Sequence, residues 1–434
     1  MTVQDEQFVT EVMKQVDRDH LLDAVCGLID IPSPTGAERP AASWLVDHLA
    51  DAGVDATLQV IDDEQANAVG VLPGDPDGDT VLLYAPLDTY TTGIEALDIP
   101  DAGPRLREDM QPHATVYDDI IVGLAAGNPK GHAACILVAI EAMRRAGVDL
   151  PGDVVAGFGA GGMPSFAVDG VGVPGRANTG HGVGATFLLE RGFATDHAII
   201  AKPGWTVSHE EVGLTWVEVE IPGQHSYVGS RHRMPYRNAA RDAARVIEVL
   251  EDWCETYAEH HETGTMRPQG VVSSVHGGFE RLAASTTASV RVRMDIRMTP
   301  EQTAPSVVRE VRTALAPLET QLGACFTVRQ IASVPASRTD PAAPVVRATV
   351  AAWEAVAGER HEPVLANSGA TDANILRMRG VPTARVGMPK VQQGPDGRPV
   401  DFTLGMNAVD VREMRRLVEV LVRSVRGVWG SRQE

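Results

Sequence analysis

Apolar residues in "HLLDAVCGLIDI" (residues 20–31) recur at the three-to-four spacing of a half-buried helix, and "PSPTG" (32–36) breaks it. "AERPAASWLVDHLADAGVDA" (37–56) repeats the pattern and stops at a glycine. "NAVGVLPG" (67–74) and "TVLLYAP" (80–86) are short apolar runs that predict strands, separated by the turn-rich "GDPDGD". "GHAACILVAIEAMRRAG" (131–147) predicts a strong helix with arginines in its last turn and a glycine stop. "GDVVAGFGA" (152–160) and "DHAIIAKP" (196–203) again read as buried strands. Strands alternating with helices predict an α/β fold with a mostly parallel sheet.

From residue 212 the pattern changes. "GLTWVEVEIPG" (213–223) alternates with period two, and a helix is predicted over 238–259. Strands at 270–278 and 286–298, a helix over 300–321 and a strand at 325–333 follow. The order β-α-β-β-α-β predicts a ferredoxin-like unit. The expected division is a discontinuous α/β domain, 1–211 plus 334–434, carrying an inserted lid or dimerisation domain, 212–333.

With 434 residues the chain can bury two or three sizeable cores. Its formal net charge of −20 argues against nucleic acid and anionic membranes as partners, because both select cationic surfaces. Cys26, Cys135, Cys254 and Cys325 are widely spaced and form no CxxC pair, as expected of free thiols in a reducing compartment. "MTVQDEQFVTEVMKQ" has neither the basic nor the apolar region of a signal peptide, and no apolar run reaches membrane-spanning length. The expected location is the cytoplasm.

Five segments carry a more specific signal. They are "IPSPTG" (31–36), "GNPKG" (127–131), "PGQHSY" (222–227), "MDIR" (294–297) and "NSGATDAN" (367–374). In this order, with this domain texture, they resemble the zinc-dependent aminoacylase, carboxypeptidase G and succinyl-diaminopimelate desuccinylase family. The resemblance covers nearly the whole chain. It implies a two-zinc α/β domain with an inserted β-α-β-β-α-β domain, a homodimer, and hydrolysis of amide bonds in small molecules.

The implied ligands are missing one by one. Pro86 stands where the resemblance places the first histidine, two residues before Asp88, which would orient it. Asn128 replaces the bridging aspartate ahead of Lys130 and Gly131. Gly161 and Gly162 replace the paired glutamates, Lys202 the carboxylate before a proline, and Leu404 the last histidine. Zinc takes three or four histidine, carboxylate or thiolate ligands at about 2.0–2.3 Å. Proline, glycine and leucine donate nothing, and a lysine ammonium repels a cation. The expected metal and cofactor content is therefore none.

Candidate chemistry rests on what remains. The chain has four lysines, Lys14, Lys130, Lys202 and Lys390, and two of them lie in matched motifs. Lys202 is the candidate for part of the metal's electrostatic role, with Asp88 as its acid or base partner and Asn128 beside it. The alternative is that Lys202 only neutralises Asp88. The resemblance implies that His225 stabilises an oxyanion, and that Asn238 lies near substrate; a helix-capping role fits Asn238 equally well. Ser368, Gly369 and Thr371 are candidates for binding a carboxylate or carbonyl, with Asp372 structural. Arg297 is a weaker carboxylate-binding candidate, expected to pair with Asp295, and His132 and His209 are minor polar candidates. "GFGAGG" (157–162) satisfies GxGxxG, but "MPSFAVDGVGVPGRANTGHG" after it is a poor helix, so a dinucleotide site is not expected.

Two function classes fit. One is a metal-independent enzyme acting on an amide or other C–N bond of a small carboxylate-bearing molecule. Hydrolysis is the default; lyase, decarboxylase and acyl-transfer chemistry fit the same residues. The other is an inactive relative that binds a small molecule, regulates, or partners an active paralogue.

Overall fold

The computed structural model describes residues 2–166, 179–279, 281–394, 397, 399–400 and 405–430. The chain forms two compact units. One comprises Met1–His209, Thr339–Pro363 and Thr371–Glu434, the other Glu210–Arg338 and Val364–Ala370.

The first unit is built on a six-stranded sheet. Its order is Asp55–Val60, Ala66–Leu72, Val154–Gly159, Val81–Pro86, His197–Ala201 and Thr383–Val386. The last four run parallel, whereas Ala66–Leu72 is antiparallel to both of its neighbours. Val81–Pro86, Val154–Gly159 and His197–Ala201 are buried at every position. That is why they read as unbroken apolar runs rather than as alternating ones. Helix Gly131–Ala146 is buried from Gly131 to Met143. Helix Val411–Gly430 packs against it and against Pro344–Ala357, burying Met414, Leu417, Leu421 and Val425. Among the described residues no helix is long and apolar enough to cross a membrane.

The second unit holds a four-stranded antiparallel sheet, ordered Gly270–Gly277, Ser289–Met298, Gly213–Pro222, Thr327–Val334. Its chain order with helices Ala239–His260 and Ala304–Leu322 is β-α-β-β-α-β. Val217, Val219, Val246, Leu250, Val292, Met294, Val307 and Val311 make one core between sheet and helices. The second helix starts at Ala304, later than the expected 300. Thr303 caps it by accepting from the Ser306 N–H, and Ser306 returns the bond to the Thr303 backbone N–H.

Candidate functional site

Four parallel strands of the first unit end at one edge of the sheet, where open parallel sheets bind their ligands. Val81–Pro86 leads to Asp88, Val154–Gly159 to Gly161 and Gly162, His197–Ala201 to Lys202, and Thr383–Val386 to Met388. Helix Gly131–Ala146 starts at the same edge. The Met388 N–H donates to Nε2 of His132 in its first turn at 3.4 Å, and Lys202 Nζ donates to Oδ1 of the preceding Asn128 at 3.3 Å.

Asp88 is fully buried, and protein donors hold both of its oxygens. Thr35 Oγ1 donates to Oδ2 at 2.8 Å, the Gly162 N–H to Oδ1 at 2.8 Å, and the Met163 N–H to Oδ2 at 2.9 Å. Burial raises its pKa above the usual carboxylate value, opposed by the Met163 N–H, Thr35, the Lys202 charge and the Gly162 N–H. Glu38 lies close by. Its Oε1 accepts from the N–H groups of Gly36 at 3.0 Å and Gly161 at 2.9 Å. Its Oε2 has no hydrogen bond among the described residues. Burial first, and then the Asp88 charge, push Glu38 up to about 8. Two carboxylates thus grip the glycine-rich loop from either side of Gly161–Gly162.

The glycines follow from crowding. Gly161 sits at φ +59, where a side chain would be strained. A Cβ on Gly162 would run into the Pro86 ring and lie 2.7 Å from Asp372 Oδ2. A Cβ on Gly159 would overlap the hydroxyl of fully buried Tyr84, which donates to Asp372 Oδ2 at 2.9 Å. Where the resemblance places a glutamate side chain at 162, Pro86 and Asp372 fill the space, and at 161 the Thr179 carbonyl and Val183 do. Burial, and then the Asp372 charge, push the Tyr84 phenol well above its usual value, so it remains a donor.

Lys202 is buried, and its charge acts on Asp88 and on His132. His132 is completely buried. Burial, and then the Lys202 and Arg385 charges, push it down to about 3, so it stays neutral at physiological pH. Lys130, two residues before His132, is buried, donates to the Ile31 carbonyl at 2.7 Å, and is pushed down to about 7 by burial.

The residues do not fit a two-zinc centre. Asn128 accepts from Lys202, the Asp88 oxygens are engaged, and Gly162 has no room for a ligating side chain. Among the described residues no group of three or more His, Cys, Asp or Glu is placed to hold a metal ion. Leu404 lies outside the described residues.

The remaining candidates divide between the units. His225, Asn238, Arg297, Ser368 and Gly369 belong to the second, and Thr371 to the first. His225 is exposed. Asn238 caps helix Ala239–His260, accepting from the Ala240 N–H at 3.1 Å. Arg297 Nε donates to Asp295 at 2.7 Å. Ser368 Oγ accepts from the Gln269 N–H at 3.1 Å, and the Gly369 N–H donates to Asn367 at 2.9 Å. Thr371 Oγ1 accepts from the Ala373 N–H at 3.2 Å, and the His209 carbonyl accepts from the Thr339 N–H at 2.8 Å. Sequence reasoning passed over Glu38 and Tyr84. A glutamate two residues past "IPSPTG" and one phenol in an otherwise apolar strand were the available signals.

No protein-family model matches the chain. The chain is 22% identical over 255 residues to N-formyl-4-amino-5-aminomethyl-2-methylpyrimidine deformylase of Bacillus subtilis, a match spanning 56% of this chain and 54% of that one. The fold is shared with human carnosine dipeptidase 1, at a TM-score of 0.71 and 14% identity over 99% of both chains. It is also shared with an M20 family metallo-carboxypeptidase from Sulfolobus solfataricus, at a TM-score of 0.67 and 14% identity over 94% of this chain and 99% of that one. A hydantoinase/carbamoylase family amidase from Burkholderia ambifaria gives a TM-score of 0.60 and 17% identity over 96% of this chain and 98% of that one.

Proposed function

We propose that this chain, which has the fold of the M20 peptidases and amidohydrolases, hydrolyses an amide or other C–N bond of a small carboxylate-bearing molecule without zinc. The observation that carries the reading is the Lys202–Asn128 hydrogen bond. Two positions that the resemblance gives to metal ligands hold instead a cation and an amide joined to each other. They stand at the carboxyl edge of the sheet beside neutral His132 and buried Asp88. A fixed ammonium in a poorly solvated site stabilises negative charge developing on a carbonyl oxygen, as a metal would, and needs no reorganisation to do so. Asp88, saturated by Thr35, Gly162 and Met163, orders the loop and offsets the Lys202 charge.

The homodimer, the cytoplasmic location, oxyanion binding by His225 and substrate contacts from Asn238, Arg297, Ser368, Gly369 and Thr371 belong to the same proposal. The location rests on the polar N-terminus and the widely spaced cysteines, and the others on the matched motifs and their residues. A second reading, a ligand-binding protein without turnover, draws on the filling of the loop by Pro86, Tyr84 and Asp372.

A panel of N-formyl, N-carbamoyl and N-acetyl amino acids and dipeptides, followed by mass spectrometry, separates the two. Hydrolysis by the wild type, unchanged by chelator and reduced about 10²- to 10³-fold in Lys202→Met, is expected. Thermal stabilisation by a panel member with no product would favour the binding reading.

A further inference from the structure

The geometry points to Asn128 as the residue that touches the substrate: its side-chain amide donates to the carbonyl oxygen as negative charge builds there, and Lys202 acts through it as a positioning residue. The inference rests on the hydrolytic reading above and names the donor atom in it. Lys202 is 6% exposed, whereas Asn128 is half-buried, so Asn128 has the open surface that Lys202 lacks. The orientation of the amide follows from its partners. A lysine ammonium has hydrogens to give and no lone pair to accept with, so the atom facing Lys202 Nζ at 3.3 Å is Oδ1. Nδ2 is then the outer arm, and it donates to Met406 Sδ at 3.6 Å. Among the described residues no other acceptor takes it. A thioether is a weak acceptor, so an oxyanion displaces it at little cost.

Hydrogen bonds in a chain polarise one another, so the ammonium on Oδ1 strengthens Nδ2 as a donor. An aspartate at 128 would be the simpler partner for a buried lysine, but it would cancel the charge and offer no hydrogen. The amide leaves the charge in place and supplies a hydrogen. The backbone holds this group still. Ala125 stands at φ 64°, in the left-handed region that residues other than glycine rarely adopt. Its N–H donates to Oδ1 of buried Asn407 at 2.8 Å, and its carbonyl accepts from the Asn128 and Lys130 N–H groups, both at 3.1 Å. Asn407 is itself tied to Asp109 through Nδ2 at 3.0 Å. An oxyanion donor needs this fixity, because its benefit lies in needing no reorganisation as the charge appears. In the step assigned to it, the water oxygen bonds to the carbonyl carbon and the carbonyl π pair moves onto oxygen, where the Nδ2 hydrogen holds it. As that pair returns, the C–N bond breaks and its electrons stay on nitrogen, which takes up the proton the water has lost. An acid and an amine leave, Asn128 gives up no proton, and nothing is oxidised or reduced.

The test uses the full chain with the N-formyl, N-carbamoyl and N-acetyl amino acid panel, comparing wild type, Asn128→Ala, Asn128→Asp, Lys202→Met and the double variant Asn128→Ala with Lys202→Met. The expected loss for Asn128→Ala is about 10²- to 10³-fold in kcat with KM held within about threefold, because the bond is made in the transition state. The two residues act in series, so the double variant falls no further than the worse single variant, to within about threefold. Asn128→Asp keeps the shape and the Lys202 contact but has no hydrogen to give. The same loss in kcat is expected of it, and it decides if Asn128→Ala does not fold. Active wild type with a folded Asn128 variant within about tenfold of it in kcat, or single losses that multiply in the double variant, overturns the relay and leaves the hydrolytic reading standing. Wild type inactive on the whole panel overturns both.

Discussion

Glu38 shows how a single residue sets a measurable property of this site. Its carboxyl ordinarily ionises near 4.5 and is pushed up to about 8 by burial and the Asp88 charge. Between those values the folded chain binds the proton more tightly than the unfolded chain. Glu38 therefore contributes stability that is fully present below about 4.5 and is lost as pH rises through about 8. The expected slope in that window is up to about 1.4 kcal/mol per pH unit. Glu38→Gln removes it, so the difference in unfolding free energy between variant and wild type moves in the variant's favour from pH 5 to pH 8. Urea titrations at several pH values check this. Gly162→Ala forces a methyl against the Pro86 ring and Asp372 Oδ2, with an expected cost of about 1–3 kcal/mol in the same titration. None of this coupling was legible in the sequence. "GFGAGG" announced a loop without side chains, but the residues that crowd it, Tyr84, Pro86 and Asp372, reach it only through the fold.

At the scale of the element, legibility followed the clarity of the period. The buried strands Val81–Pro86 and Val154–Gly159 and helix Gly131–Ala146 were plain, because burial on all sides leaves long apolar runs. Helix Val411–Gly430 was not singled out in the sequence, although Met414, Leu417, Leu421, Val425 and Val428 recur at helical spacing and are buried, with arginines between them. Strands of three residues, Thr115–Tyr117, Ile120–Val122 and Ala408–Asp410, are too short to show any period. The start of the Ala304–Leu322 helix depended on a cap rather than on periodicity. Asn238, read in the sequence as either a cap or a substrate neighbour, is a cap in its own unit. Asn238→Ala is expected to cost about 1 kcal/mol of stability. If Asn238 also touches substrate, Asn238→Ser restores stability while KM stays raised.

Over the whole molecule, the order of five short motifs pointed to the fold, and the segments between them held most of the missing ligand positions. The strand ends explain why both were readable. Asp88, Gly161–Gly162 and Lys202 stand just past strand ends, so a change in chemistry there leaves the apolar runs behind them intact. What the motifs did not reveal is how the vacated volume is used, because that is settled by contacts between segments far apart in the chain, such as Tyr84 with Asp372. The central claim is hydrolysis of a C–N bond by Lys202 and its neighbours in place of zinc. The most direct test is turnover of the N-formyl, N-carbamoyl and N-acetyl amino acid panel by protein whose metal content is measured in the same sample. The account predicts product formation with zinc far below one per chain, unchanged by added zinc and lost in Lys202→Met. Turnover that rises in proportion to bound zinc and survives Lys202→Met would contradict it.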